Sequence, residues 1–217
     1  MLSDMLAALP FLGKGFVTTV WVSLAAVCGS LLLGVPGGIV LVYGPAPARW
    51  PFRAYADAIR GIPALVLIFG FYYGLPAAGV PVPGVVAAVL ALVCYKAAQV
   101  VEITRGAVAS ITAGQIDAAR ALGLTFPQLL RLVVLPQALG RFLPPWLNAV
   151  VDTVKASALV SLVGVIDLMM AIQQVIGRTY RPMPLYLLGA GIYVAVNMGL
   201  STASRLLEQR LRVAGPG

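Results

Sequence analysis

Long runs of apolar residues dominate the chain and set the positions of its helices. Residues 16–43 carry no charge, and a second uncharged run extends over residues 61–95. A membrane-spanning helix needs about 20 apolar residues, so the second run is too long for one helix. The proline- and glycine-rich segment 76–84 divides it, because these residues favour a turn. The pattern therefore predicts five membrane-spanning helices, at 16–43, 54–75, 84–106, 142–168 and 184–203.

Charged residues are too few to cover the surface of a water-soluble protein. They make up 10% of the 217 residues, whereas 60% are hydrophobic and the mean hydropathy is +0.96. Soluble domains carry about 25% charged residues. We therefore expect an all-α integral membrane protein, folded as a single transmembrane domain over residues 1–217 and embedded in a lipid bilayer.

The distribution of basic residues indicates how the chain is oriented in the membrane. Nine of them lie after the first predicted helix, between the third and the fourth, and in the C-terminal tail. The segments on the other side hold only three, Lys14, Arg178 and Arg181. Because basic loops tend to stay in the cytoplasm, we expect the N-terminus outside and the C-terminus in the cytoplasm. This bias accounts for the net charge of +8 without a nucleic-acid partner.

A charged and patterned segment, residues 107–141, separates the third and fourth predicted helices. Gly123 is a typical helix stop, and Thr125 with Gln128 forms the capping-box pattern of a second helix, which we expect to end at Pro136. Residues 116–138 should therefore form two short cytoplasmic helices with an elbow at Gly123. A connector this long is usually functional, and the pattern fits both docking of a partner protein and passive contact with the membrane surface.

Several charged and polar residues lie inside the predicted membrane helices, where they are costly and usually functional. Arg60 and Asp57 are one turn apart, so they form either an ion pair at the helix end or a site for a substrate carboxylate. Asp152 and Lys155 are three residues apart on the fourth helix, so they either pair with each other or line a substrate path. The functional alternative predicts a polar path between the helices. Its candidate residues are Arg60, Gln99, Asn148, Lys155 and Ser157.

The chain lacks the residues of common catalytic and metal sites. It has no histidine, and its two cysteines do not have the spacing of metal ligands. The phosphate-binding pattern G-x-x-x-x-G-K-[ST] is also absent. We therefore expect no metal, no cofactor and no enzymatic activity in this chain. Energy for transport would come from a partner ATPase or from an ion gradient, and a non-transporting membrane scaffold is a third alternative.

Several motifs resemble those of ABC importer permeases of the polar amino acid family. DAARALG at 117–123, followed by VVLPQAL at 133–139, is similar to the cytoplasmic EAA loop of that family. YADAIRGIPALVLIFGFYYGLP at 55–76 and RTYRPMPLYLL at 178–188 resemble two further stretches. The resemblance implies a five-helix permease with the type I ABC importer fold in a bacterial inner membrane.

The resemblance also implies partners and residue roles. The first short helix of the connector would dock into a groove on a dimer of separate ATP-hydrolysing subunits, which would bind the ATP and Mg²⁺. The residues that match the family motif there are Asp117, Ala118, Ala119, Arg120 and Gly123. A second permease subunit, identical or homologous, would complete the pathway, and an extracytoplasmic binding protein would deliver the polar amino acid or related solute.

Three positions differ from the usual pattern of that family. Ala156 replaces a common acid, Ala149 replaces a common Glu or Gln, and Gln99 replaces a tyrosine. A free ammonium group would need a carboxylate partner, and this chain offers few. We therefore expect that a heteromeric partner supplies the acid, or that the substrate is a zwitterion without a free primary ammonium, such as ectoine.

Overall fold

The chain is helical over the residues that its structure describes. A computed structural model gives the backbone of residues 2–213 and the side chains of residues 8–207 and 209. The α-helices in that part of the chain are α1 (Leu2–Tyr43), α2 (Ala46–Gly61), α3 (Ala64–Ala77), α4 (Gly84–Ala109), α5 (Ala113–Ala121), α6 (Phe126–Leu129), α7 (Leu135–Ser157), α8 (Leu168–Thr179) and α9 (Pro182–Val213). A π-helical turn, Leu130–Val134, joins α6 to α7, and a 3-10 helix, Ala158–Val163, follows α7.

Within the described residues, four helical segments are long and apolar enough to cross a membrane. They are Ala8–Tyr43, Gly84–Ala109, Phe126–Val163 and Pro182–Leu207. α2 and α3 pass the same test together and supply a fifth span as a bent pair. The all-α membrane fold predicted from the sequence is therefore confirmed, with five spans when the bent pair counts as one.

The first helix is longer than predicted. It begins at Leu2 and not at residue 16, and its apolar part starts at Ala8. Lys14 precedes the uncharged run but does not end the helix, because a lysine near the end of a span can extend its ammonium group to the membrane surface.

α1 packs closely along α4 through two glycines. A Cβ atom on Gly34 would lie 2.5 Å from Val100 Cβ, and one on Gly38 would lie 2.4 Å from Thr104 Cβ. Neither position has room for a side chain. The two backbones therefore approach closely, as at other small-residue interfaces between membrane helices.

The second predicted helix, residues 54–75, is broken. α2 ends at Gly61, α3 begins at Ala64, and the two axes differ by 106°. Pro63 causes the break, because proline lacks an N–H group and disfavours helical backbone at the preceding residue. Ile62 is accordingly extended, with φ −97° and ψ 130°. The prediction of one continuous helix in this region is wrong.

The fourth span begins well before the predicted residue 142. Helical structure continues from Phe126 through the π-helical turn into α7. Pro136 therefore does not end the second connector helix as predicted. The π-helical turn directly before Pro136 widens the backbone where the proline ring would otherwise crowd a carbonyl. That connector helix is the start of the fourth span, so the connector is shorter than 107–141.

The fourth span also ends before the predicted residue 168. The 3-10 helix after α7 ends at Val163 and is followed by Gly164, which has φ +79°. A short amphipathic helix that the sequence did not predict, α8, follows. It is capped by the Asp167 carboxylate, which accepts a hydrogen bond from Met170 N at 2.9 Å. The last helix, α9, extends beyond the predicted 184–203 at both ends.

Four apolar clusters connect the helices in the described part of the chain, and the smallest, Leu41, Ala56 and Val101, joins α2 to α1 and α4. The first joins α1, α3, α4 and the 3-10 helix around Ile68 and Leu92. The second packs α8 against α1 and α9 around Leu168 and Ile172. The third lies beside α5, and we call it the elbow cluster. It consists of Ala107, Val108, Ile111, Ala119, Leu129, Val134 and Ala138.

Candidate functional site

α5 presents a small exposed surface between the third and fourth spans. Asp117 and Arg120 are 71% and 64% exposed and form a loose ion pair at 3.6 Å. Ala118 is exposed beside them, and so is Leu122 directly after the helix. A short helix that projects such side chains can enter a groove on another protein.

The opposite face of α5 is held by the elbow cluster. Ala119 is buried and packs in the cluster that also contains Leu129. Gly123 follows α5 with φ +76°, a left-handed conformation that costs a residue with a side chain about 1–2 kcal/mol. The capping box predicted at Thr125 and Gln128 is present and starts α6. The elbow predicted at Gly123 is therefore confirmed as a structural feature.

The elbow cluster connects α5 to three spans. Its members come from the end of α4, from α5 and from the base of the fourth span. Tyr43 at the end of α1 also packs against the cluster, and its ring meets that of Phe126 edge-on with centroids 5.5 Å apart. Arg141 of α7 donates a hydrogen bond to the backbone carbonyl of Ser110, directly after α4. A displacement of α5 would therefore reach α1, α4 and α7 together.

Charged residues occur within two of the spans. Lys96 lies at the centre of α4 and is buried, and its ammonium group donates to the Gln99 amide oxygen at 3.3 Å. Asp152 and Lys155 of α7 form an ion pair at 2.7 Å, although their side chains are 58% and 57% exposed. Exposed charges within a membrane span almost always face a water-filled cavity or another protein. This face of α7 therefore does not belong against lipid.

A groove of about 500 Å³ opens between α7 and α9 beside Lys155. The α9 wall carries Tyr193, Asn197, Ser201 and Arg205. These four residues are spaced by four positions, so they lie along one face of the helix; we call them the α9 polar stripe. The Tyr193 hydroxyl and the Asn197 side-chain oxygen are buried, so a solute in the groove would meet the Ser201 hydroxyl between two basic side chains.

The α9 polar stripe was missed at the sequence level, where Arg205 served only as a sign of orientation. The available signal was the four-residue spacing of polar side chains in an otherwise apolar helix. The stripe is also structurally organised, because the Asn197 side-chain amide donates to the Tyr193 carbonyl at 2.8 Å.

Arg60 lies apart from this groove. It is exposed near the end of α2, which packs against α1 and α4. Within the described residues, no ion pair joins Arg60 to Asp57. The predicted alternative of an ion pair at the end of this helix is therefore not present in this conformation. The break at Pro63 places the start of α3 beside it, and broken membrane helices commonly present such ends to anionic groups.

Asn148 and Ser157 occupy different surroundings on α7. Asn148 is exposed on the face that carries Asp152 and Lys155, because positions 148, 152 and 155 follow the helical repeat. Ser157 is fully buried, and its hydroxyl donates back to the Val154 carbonyl at 2.8 Å. The structure therefore brings Asn148 and Lys155 to one face and places Ser157 away from it.

Ala156 packs against the apolar cluster around Ile68 and Leu92 and does not line the groove. An acid at this position would point into apolar surroundings. The missing acid therefore says little about the charge in the groove, which is set by the Asp152–Lys155 pair and by Arg205.

Comparison with known proteins identifies the family to which the chain is similar. Residues 30–213 match the family described as binding-protein-dependent transport system inner membrane component. The chain is 35% identical over 197 residues to the probable glutamine ABC transporter permease protein GlnM of Bacillus subtilis (strain 168), covering 91% of each chain. It is 33% identical over 208 residues to the glutamine transport system permease protein GlnP of Escherichia coli (strain K12), covering 95% of each chain.

Solved structures show the same similarity. The chain superposes on a structure described as an amino acid ABC transporter with histidines, with a TM-score of 0.89 and 31% identity, covering 97% of this chain and 98% of that one. An inward-facing structure of the MetNI methionine ABC transporter gives a TM-score of 0.80 over 93% of this chain and 96% of that one. Its 21% identity supports the fold alone.

The five spans, the groove beside Lys155 and the projecting α5 together fit a membrane transport subunit. The chain belongs to the family of binding-protein-dependent transport system inner membrane components. It is the membrane-spanning permease subunit of an ABC importer, as its motifs implied, and the secondary-transporter and scaffold alternatives are set aside.

Proposed function

We propose that this permease forms half of the import pathway for an amino acid or a related zwitterionic solute. The observation that carries the proposal is the groove between α7 and α9. Lys155 and Arg205 can each bind a carboxylate, while Ser201 offers a neutral hydrogen-bonding group between them. The names of its relatives, glutamine and amino-acid permeases, support this substrate class.

The charge of the groove separates two kinds of substrate. Asp152 is already paired with Lys155, so this chain leaves an excess of positive charge. A standard amino acid would need a carboxylate from the second permease subunit to bind its ammonium group. A zwitterion without a free primary ammonium, such as ectoine, would not need one.

A second permease subunit, identical or homologous, completes the pathway. Asn148, Asp152 and Lys155 are exposed on one face of α7. Charged groups at membrane depth require protein or a water-filled cavity beside them, and a single chain leaves this face open. A partner packed across it would enclose the groove on both sides.

α5 couples the pathway to a dimer of ATP-hydrolysing subunits, which binds the ATP and Mg²⁺. Asp117, Ala118 and Arg120 form the contact surface, while Ala119 and Gly123 fix α5 on the elbow cluster. When the ATPases close, the elbow cluster passes their movement to α4 and α7. These two helices carry the central polar residues, so the access of the groove would change from one side to the other.

The bias of basic residues supports an orientation with the N-terminus outside and the C-terminus in the cytoplasm of a bacterial inner membrane. α5 then faces the cytoplasmic ATPases. The segment between the fourth and fifth spans, which contains α8, then faces outwards, where an extracytoplasmic binding protein would deliver the substrate.

Reconstitution of the importer with its ATPase, second permease subunit and binding protein in proteoliposomes tests this function. ATP-driven uptake of labelled glutamine and of labelled ectoine is measured separately. Lys155→Gln should lower uptake roughly ten-fold or more, because hydrogen bonds to charged groups contribute about 1.5–3 kcal/mol. Met198→Leu, an apolar exchange in the same groove, should leave uptake unchanged. Normal uptake by the Lys155→Gln importer would contradict the proposal.

A further inference from the structure

A second groove, of about 480 Å³, lies at the bend between α2 and α3. α1 and α4 form its remaining walls. Its lining includes Leu33, Phe52, Tyr55, Phe71, Leu90 and Val93. No described residue of α7 or α9 lines it, so it is separate from the proposed transport groove.

The chemistry of this groove selects an apolar occupant. The only hydroxyl among its lining residues, that of Tyr55, already donates to the Cys94 carbonyl at 2.6 Å. A polar solute would therefore lose hydrogen bonds with water on entering, which is unfavourable. A hydrocarbon chain has no such bonds to lose, and in a membrane it is the most abundant apolar group available.

The N-terminal part of α2 has the features of a helical segment at the surface of a membrane. Phe52 and Tyr55 line the groove, whereas Arg49 and Arg53 lie on another face of the helix. Trp50 beside them is 73% exposed. Tryptophan is enriched at the level of the lipid headgroups, and a helix with one apolar and one basic face binds anionic lipid surfaces.

The two arginines differ in what they contact. Arg53 pairs with Glu102 of α4 at 3.4 Å, which ties α2 to the third span. Arg49 forms no ion pair within the described part of the chain, and its side chain is exposed. A guanidinium group can bind two oxygens of a phosphate at once. Its aliphatic stem can also extend along apolar surface toward the groove.

We propose that the groove at the α2–α3 bend binds an acyl chain of an anionic phospholipid whose phosphate is held by Arg49. The basic face of α2 distinguishes this occupant from a helix of the second permease subunit, which would need no phosphate-binding group beside it. The bound chain would fill the space that the break at Ile62 and Pro63 leaves between α2 and α3.

Photo-crosslinking of the assembled importer in lipid nanodiscs tests the proposal. Phosphatidylglycerol or phosphatidylcholine with a diazirine on one acyl chain is added at equal small fractions, and labelled peptides are mapped by mass spectrometry. Phosphatidylglycerol should label the peptides that contain Phe71 and Val93 more strongly. Arg49→Gln should lower this preference roughly five-fold, since a basic residue near an anionic lipid surface contributes about 1 kcal/mol. Arg178→Gln, a matched charge removal on α8, should not.

A substitution that fills the groove gives a second measurement. Val93→Trp should reduce labelling by both lipids, whereas Leu24→Trp, on the exposed face of α1, should leave it unchanged. If the importer with Val93→Trp does not assemble, the comparison of the two lipids and the Arg49→Gln result still test whether the groove binds an anionic lipid. Equal labelling by both lipids, labelling unchanged by Arg49→Gln, or crosslinks from this groove to the second permease subunit would overturn the proposal.

Discussion

The Asp152 carboxylate and the Lys155 ammonium group pair at 2.7 Å on α7, yet both side chains remain more than half exposed. An ion pair this open to solvent contributes only about 0–1 kcal/mol to stability. Two charges at membrane depth cost insertion free energy that such a pair cannot offset. The pair therefore supports the proposed role in transport, in which Asp152 would keep Lys155 beside the groove.

Replacing Asp152 with Asn should reduce uptake without loosening the fold. The change releases Lys155 from its position, and the melting temperature should stay within a few degrees because an exposed pair contributes little. Uptake in proteoliposomes and thermal melting of the purified importer, measured on the same preparation, check this. A large fall in melting temperature with uptake lost only in proportion to folded protein would show that the pair is structural.

Gly123→Val should uncouple ATP hydrolysis from transport. A β-branched residue at φ +76° is strained, so α5 would shift on the elbow cluster and present Asp117 differently to the ATPase. We expect the ATPase activity of the assembled importer to lose its stimulation by the substrate-loaded binding protein.

The matched control for that experiment is Gly114→Ala within α5, where an added Cβ would meet no atom within 4 Å. It should leave stimulation intact. Full stimulation in the Gly123→Val importer would mean that α5 does not depend on the elbow for its position.

Gly38→Val should destabilise the contact between α1 and α4. The added Cβ would lie 2.4 Å from Thr104 Cβ and 2.6 Å from the Val101 carbonyl oxygen, so the two helices must separate. Overpacking of this kind typically costs about 1–3 kcal/mol. The melting temperature should fall by roughly 2–4 °C for each kcal/mol in a chain of this size. Gly70→Ala, at an open position on α3, should have little effect, and equal melting of the two variants would contradict the close packing.

Hydropathy and helix-capping rules predicted those parts of the fold that depend on local composition. α4 was placed within three residues at its C-terminal end, because Pro83 and Gly84 mark its start and charged residues follow its apolar run. The capping box at Thr125 was also recognised, since all its groups are close in sequence. Such features require no knowledge of what the helix packs against.

The features that were predicted wrongly or not predicted depend on more than local composition. Pro63 breaks an uncharged run that hydropathy treats as uniform, while the π-helical turn before Pro136 allows a helix to continue through a residue that usually ends one. The α9 polar stripe was missed because Asn197 and Ser201 are diluted by apolar neighbours in any long window. Its role depends on α7 packing beside it, which no local pattern encodes.

Asp167 is a buried acid between the fourth and fifth spans. Its Oδ1 caps α8, but its Oδ2 has no hydrogen-bond partner within the described residues. The backbone N–H of Leu168 donates to Thr19 Oγ1 at 3.0 Å, so α8 begins against α1 at this point. Burial raises the pKa of the Asp167 carboxyl group to about 6, although the backbone N–H groups at the start of α8 act in the opposite direction.

Asp167→Asn should therefore change how stability depends on pH. An exposed aspartate has a pKa of about 3.9. Because the folded-state pKa is higher, the stabilising contribution of protonated Asp167 is complete below about pH 4 and is lost as the pH rises through about 6. Asparagine keeps the oxygen that caps α8 but does not ionise. The melting temperature of the wild-type importer should fall relative to that of the variant between about pH 4 and pH 7, measured in matched buffers. A difference that stays constant over this range would show that Asp167 does not titrate within the folded protein.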